Sequence, residues 1–329
     1  MAREYQKTLD EIFPKKTKID HPESKEDLFD PRDAVDPKSM TKEEADTLRL
    51  YQSMTGSALY VASYTRFDIA YALSKAARLM HCASKKHLRG IARIIKYLIQ
   101  HEDFKLTYDG TQCTPDGQLR LFTFVDSDYA KEPFNTLEED NLGRRSTSAV
   151  VIMACNCTIF WKAKLQPRVA ASTGEAEFRA LWIAVKESLF CTHLLREIGY
   201  DTYEEPLVPI FCDANVGIAH AKRDGLAWLE GTKQYEVELS CVYQHVQEGT
   251  LVPIKIETEK NPADLLSKPN VGSDERCTSF RRRIAGQPMK QSFSTWVKER
   301  ITKHFTGSSV MQDRFISLEE LLKKYGLSN

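Results

Sequence analysis

Hydrophobic positions along the chain change period more than once. Between residues 47 and 106 they recur at helical spacing. In "KHLRGIARIIKYLIQ", Leu88, Ile91, Ile95, Leu98 and Ile99 line one face while Arg89, Arg93 and Lys96 fall mostly off it, which predicts a helical subdomain. Strand patterns follow in quick succession: "KLTYD", "QLRLFTFVD", "SAVVIMA", "TIFWKAK" and "RVAAS". Helical spacing returns over 174–198, where Phe178, Leu181, Trp182, Val185 and Leu189 form one stripe and Gly199 stands as a C-terminal stop. Then come a strand, "PLVPIFCD", a short helix, "NVGIAHAKR", a longer helix, "QYEVELSCVYQHVQEG", a strand, "LVPIKIET", and a helix opening at "NPADLLSK". Three consecutive strands, then helix, strand, helix, strand and helix predict an α/β fold, a mixed sheet with helices on it.

The flanks read differently. Residues 1–46 hold Pro14, Pro22, Pro31 and Pro37 among acids and little periodic hydrophobicity, the pattern of an irregular leader or linker. Residues 271–329 form a basic helical tail, closing on "SLEELLKKYGL" with a capping-box start from Ser317 to Glu320. The expected organisation is thus a leader (1–46), a helical subdomain (47–106), the α/β domain (107–270) and the tail (271–329).

Several apolar strands end on acid. In "LRLFTFVDSDYA" alternation places Phe122, Phe124, Asp126 and Asp128 on one face, so the strand runs from core to mouth and delivers a carboxylate. "VPIFCDAN" ends on Asp213, "NPADLL" sets Asp264 in a first helical turn, and "STGEAEF" puts Glu175 and Glu177 at the start of the long helix. Each acid has a structural reading as well. Asp264 would favour the helix dipole, Glu175 stands three residues after Ser172 as in a capping box, Asp213 suits a cap, and Asp128 a solvated position. Together the four points have a different consequence. Two carboxylates about 5 Å apart repel by roughly 3 kcal/mol at an effective dielectric near 20, so four that converge need protons or cations. Oxygen-only donors select Mg²⁺ or Mn²⁺, and two such ions suit phosphodiester hydrolysis.

Composition narrows the class. The 329 residues are 42% hydrophobic and 28% charged, no apolar run reaches a membrane span, and "MAREYQKTLDEIFPKK" has no signal-peptide core. An intracellular protein, cytoplasmic or nuclear, with no membrane partner is expected. The eight cysteines read as reduced thiols, with Cys155 and Cys157 on one face of a strand and no partner pair at zinc-finger spacing. Lys/Arg and Asp/Glu balance at 46 each, which excludes binding to nucleic acid by bulk charge. The balance is local, however: residues 1–46 carry 9 basic and 13 acidic side chains, residues 276–304 carry 8 basic and one acidic.

The order "FVDSDYA … GRRSTSAVV … IFWKAKLQPRVAASTGEAEFRAL … IFCDANVGI … NPADLLSKP" resembles the ribonuclease H domain at the end of copia-type retrotransposon polyproteins. Upstream, "YQSMTGSALYVASYTRFDIAYALSKAARLM" to "KLTYDG" resembles the connection that joins the family's reverse transcriptase to that domain; together they cover roughly residues 48–270. The resemblance implies a ribonuclease H-like fold, a five-stranded mixed sheet flanked by helices, behind an N-terminal helical connection subdomain. It implies hydrolysis of the RNA strand of an RNA·DNA hybrid by a two-metal site of four carboxylates. By motif these are Asp126, Glu177, Asp213 and Asp264; the motif, not the helical wheel, favours Glu177 over Glu175. Arg144, Arg145, Ser146, Thr147, Lys162 and Lys164 are the candidate contacts to phosphate or sugar.

Departures from the family pattern define the rival reading. No Tyr-x-Asp-Asp motif occurs, so polymerase activity is not expected of this chain, and a reverse transcriptase domain would act in trans. Phe67 stands where the family has proline, Tyr129 where tryptophan is usual, Ala149 where glycine is frequent and Gln234 where the family has histidine. The acidic insert "KEPFNTLEEDNL", residues 131–142, would repel nucleic acid beside the site. A non-catalytic nucleic-acid- or protein-binding module descended from a degenerate retroelement is the alternative to an active nuclease.

Overall fold

The structure, a computed structural model, describes residues 2–110, 119–131, 143–200, 208–213, 236–269, 274–306, 317–325 and 327. Its centre is a sheet of β1 (Leu121–Ser127), β2 (Thr147–Ala154), β3 (Cys157–Leu165), β4 (Val208–Cys212) and β5 (Leu251–Lys255), in spatial order β3-β2-β1-β4-β5. β1, β2 and β3 form an antiparallel meander; β4 pairs parallel with β1, and β5 with β4. This is the ribonuclease H-like topology that the resemblance implies. β1 is central, so its apolar run is buried on both faces and its C-terminal end lies beside those of the parallel β4 and β5.

Alternation sorts the sheet into two faces. Leu121, Val125, Val150, Ile152 and Ile210 meet the long helix α5 (Thr173–Glu197) and α6 (Glu236–Gln247). Phe122, Phe124, Val151, Met153, Phe211 and Ile254 point the other way. That second face is covered by α7 (Asp264–Ser267) and by the tail: α8 (Asp274–Ile284), α9 (Phe293–Thr306) and α10 (Leu318–Lys324) contribute Phe280, Ile284, Phe293, Trp296, Ile301 and Leu321. Ser317 and Glu320 form the expected capping box. Three of the tail's arginines turn inward. Arg283 and Arg300 flank the Trp296 ring with guanidinium carbons 4.7 and 3.9 Å from its centroid, and Arg281 lies over Tyr97. Charge composition alone gives no sign of this, because an arginine on an aromatic face counts the same as one in water.

The leader is better ordered than its prolines predict. Helix α1 (Ala2–Ile12) presents Tyr5 and Leu9, and these join Phe13, Ile19 and Phe29 in one core with α2 (Lys42–Tyr64), α3 (Ala70–Arg78) and α4 (Lys85–Gln100). Gly90 of α4 lets the leader cross closely: a Cβ there would stand 2.7 Å from the Phe29 ring, which would have to shift. Phe67 is fully buried at the junction with the sheet, edge-on to Phe104 and Trp161, while Trp161 Nε1 donates to Ala62 O at 3.0 Å.

Two expected strands are absent. "KLTYD" runs beside the turn after α8, with Thr107 N–H donating to Ala285 O at 2.8 Å, outside the sheet. "RVAAS" is the entry to α5, where Ser172 is the N-cap. The cysteine pair is also corrected: Cys155 lies in the β2–β3 turn at φ 53, not on a strand face with Cys157. Cys155 is disulfide-bonded, against the all-thiol expectation, whereas Cys82, Cys157, Cys191, Cys212, Cys241 and Cys277 remain thiols. No helix among the described residues is long and apolar enough to cross a membrane.

Candidate active site

Asp126 ends β1 on the same face as Phe122 and Phe124, opposite Ala149, and is 5% exposed. Its Oδ2 accepts from Ser267 Oγ and pairs with Lys268 Nζ at 3.2 Å. Burial pushes the Asp126 carboxyl up to about 7, and the Asp264 and Asp213 carboxylates add to the rise against the opposing effects of Lys268 and Ser267. Asp264 opens α7 with both oxygens engaged: Oδ1 takes Lys268 Nζ at 2.5 Å and Oδ2 takes Arg276. Asn261 fixes the two acids relative to each other. Fully buried, it donates from Nδ2 to Val125 O at 2.8 Å and accepts from Ala263 N–H at 3.2 Å, tying the end of β1 to the start of α7.

Asp213 follows β4, accepting from Thr258 Oγ1 at 2.8 Å, while its carbonyl takes the Lys255 ammonium. Lys255 is the in-register neighbour of Cys212, which places its stem beside Asp213. Glu177 is half-buried near the start of α5; burial raises its pKa, the Asp213 charge raises it further, and Lys255 and Lys268 oppose the shift. The four acids named by motif therefore share one electrostatic field at the C-terminal ends of β1, β4 and β5. Burial disfavours the charged form of Lys268, but Asp126 and Asp264 outweigh it and raise its pKa.

The other acids have structural partners. Glu175 is 4% exposed, accepts from Ala171 N–H at 2.7 Å and pairs with Arg179 at 2.5 Å, while Ser172 Oγ accepts Glu175 N–H at 3.2 Å. It caps one residue further out than the expected box. Asp128 is buried rather than solvated: its carboxylate accepts Thr147 N–H and its own N–H donates to Thr147 O at 3.1 Å. The two glutamates are separable by stability. Glu175→Gln is expected to cost about 1.5–3 kcal/mol in urea unfolding by weakening the buried Arg179 pair. Glu177→Gln should leave stability unchanged or slightly higher, since its charge is disfavoured where it stands.

The candidate nucleic-acid contacts divide. Ser146 and Thr147 are buried, Ser146 Oγ accepting Ala130 N–H at 3.2 Å. Arg144 is exposed at φ 60 and Arg145 half-buried. Lys162 and Lys164 pair with Val150 and Ser148 and so lie on the α5 face, opposite that of Asp126; Lys162 is held by Glu187 at 2.5 Å, and Lys164 is exposed. The insert from 132 to 142, Gln234 and the helix expected at 215–223 lie outside the described residues. Sequence reasoning missed Lys268, Ser267, Lys255 and Arg276. Lys268 carried a signal, standing four residues after Asp264 in a helical turn; Arg276 carried none, since its contact depends on how α8 folds back.

Hard carboxylate oxygens in one field suit a divalent cation. Among the described residues, however, no three Asp, Glu, His or Cys side chains stand as a group around one point that could hold an ion. Lys268, Arg276 and Lys255 supply the positive charge instead.

No protein-family model matches the chain. It is 30% identical over 218 residues to the retrovirus-related Pol polyprotein from transposon TNT 1-94 of Nicotiana tabacum, covering 66% of this chain and 15% of that one. The retrovirus-related Pol polyprotein from transposon RE1 of Arabidopsis thaliana is 28% identical over 219 residues, 67% of this chain and 14% of the relative. Among solved structures, that of LC11-RNase H1 in complex with RNA/DNA hybrid aligns at 17% identity and a TM-score of 0.32, over 45% of this chain and 93% of that one. The chain spans about 15% of the length of the polyproteins it matches. Its homologues are retrovirus-related Pol polyproteins of copia-type transposons, and the stretch they share is about two-thirds of this chain.

Proposed function

We propose that this protein is a metal-dependent endonuclease that hydrolyses the RNA strand of RNA·DNA hybrids. The observation that carries the reading is the shared field of Asp126, Glu177, Asp213 and Asp264 at one end of a ribonuclease H-like sheet. Homology to retrotransposon Pol polyproteins supports it. These four side chains would hold two Mg²⁺ or Mn²⁺ ions, which when bound supply Lewis-acid stabilisation of the phosphodiester oxygens and acidify water.

The chain's own groups prepare that site. β1 and Asn261 keep Asp126 and Asp264 at fixed relative positions, and the hydroxyl of Thr258 orients Asp213. Exposed Arg144 and Lys164 would meet phosphates, positioning a duplex without reading its sequence. Discrimination would rest on A-like geometry and 2′-hydroxyls. A reverse transcriptase domain is the partner that would act with it.

One observation favours the rival, a non-catalytic binding module: Lys268 and Arg276 already pair with the carboxylates of Asp126 and Asp264. A labelled RNA·DNA hybrid, run with Mg²⁺, Mn²⁺ and EDTA, separates the two. Mg²⁺-stimulated RNA fragments are expected from the wild type and none from Asp213→Asn, which keeps the oxygen that accepts from Thr258. Full cleavage by that variant would overturn the site assignment, and hybrid retention without product at any protein concentration would favour the binding module.

A further inference from the structure

We propose that Lys268 is a tethered counter-cation, which sits between Asp126 and Asp264 until a divalent ion takes its place and so sets the affinity of the site for metal. The inference rests on the metal-dependent reading above and concerns a residue which that reading leaves without a role. Lys268 Nζ stands 2.5 Å from Asp264 Oδ1 and 3.2 Å from Asp126 Oδ2, the position of a bridging cation. Both acids are held in place. The Asp126 side chain is 3% exposed on a central strand, and that of Asp264 is 11% exposed on a turn locked to β1 through Asn261. Lys268 is the movable member. It lies just past the four-residue α7, on extended backbone at φ −129 and ψ 152, with its side chain 30% exposed and solvent to swing into.

A lysine in this place removes a problem that the fold would otherwise have. Without positive charge, two nearly buried carboxylates would face each other in low dielectric, and the metal-free protein would carry that repulsion. The same ammonium competes with any ion that uses those oxygens. Arg276 guards the outer oxygen of Asp264 but does not reach Asp126, so it lacks the bridging geometry.

Calorimetric titration of the full chain with MnCl₂ alone tests this, comparing wild type, Lys268→Met and Lys268→Arg. Lys268→Met should bind Mn²⁺ about tenfold more tightly, within the roughly 5- to 150-fold range of such couplings, and Lys268→Arg should stay close to wild type. In EDTA the methionine variant should melt below wild type, and the gap should close at saturating Mn²⁺. Equal or weaker Mn²⁺ binding by Lys268→Met, with hybrid cleavage by the wild type intact, would overturn the lysine's role and leave the nuclease reading standing. Absence of Mn²⁺ binding in all three proteins would overturn both.

Discussion

A chain ending at Pro269 is expected not to fold cooperatively. The truncation removes every tail side chain from the second face of the sheet, including Phe280, Ile284, Phe293, Trp296, Val297 and Ile301, each at most 6% exposed. At roughly 1.5–3 kcal/mol per buried large apolar side chain, these six contribute on the order of 9–18 kcal/mol as an upper estimate. Net stabilities of domains lie near 5–15 kcal/mol, so nothing else in the molecule offsets the loss. Phe122, Phe124 and Phe211 would then face water as a contiguous aromatic patch. Expression of residues 1–269 should yield insoluble or dye-binding protein with no near-ultraviolet signature of fixed packing. A soluble fragment that unfolds in one sharp transition would show that the tail is an appendage after all. The experiment bears on boundaries, because the resemblance stops at about residue 270 while the core does not.

The sheet was legible because alternation and continuous apolar runs need only local information: all five strands stand where their patterns put them. The candidate acids could be named for a different reason, since each stands in a family motif although each also has a structural reading. What failed depended on partners distant in sequence. Tyr5, Leu9 and Phe13 lie at four-residue spacing, a helical stripe present in the sequence but outweighed by the four prolines that follow it. Ile19 has no periodic context; it packs into the helical core, and its N–H donates to the Gln100 side-chain oxygen at 2.7 Å. In the sequence the tail's arginines register only as a local excess of positive charge, because pattern does not distinguish a guanidinium in water from one stacked on Trp296. At the site itself, carboxylates could be named from motifs, yet the cations that pair with them could not, because Lys255 and Arg276 are placed by strand register and helix packing.

Asp126→Asn should abolish Mg²⁺-dependent cleavage of an RNA·DNA hybrid and at the same time flatten the dependence of stability on pH. Loss of Lewis-acid stabilisation worth several kcal/mol corresponds to a rate reduction of about 10³-fold or more. The stability effect has a definite sign. Burial raises the Asp126 pKa from 3.8 to about 7 in the folded chain. Across that window the unfolded chain has already released the proton that the folded chain retains, so the contribution of this carboxyl to stability is fully present below about pH 4 and is lost as pH rises toward 7. Asparagine keeps the shape and an oxygen that accepts from Ser267 Oγ, but it has no proton to release. Urea midpoints measured in EDTA should fall between pH 5 and pH 8 in the wild type and fall less in Asp126→Asn. A residual slope of the same sign is expected from Glu177, whose pKa is raised as well. Identical slopes in the two proteins would mean that Asp126 is not the strained carboxyl its burial makes it. Undiminished cleavage by the variant would remove it from the metal-holding set. The two readouts are independent, because hydrolysis requires the charged carboxylate whereas the fold is better served by the neutral one, and that conflict is what a metal ion or the Lys268 ammonium relieves.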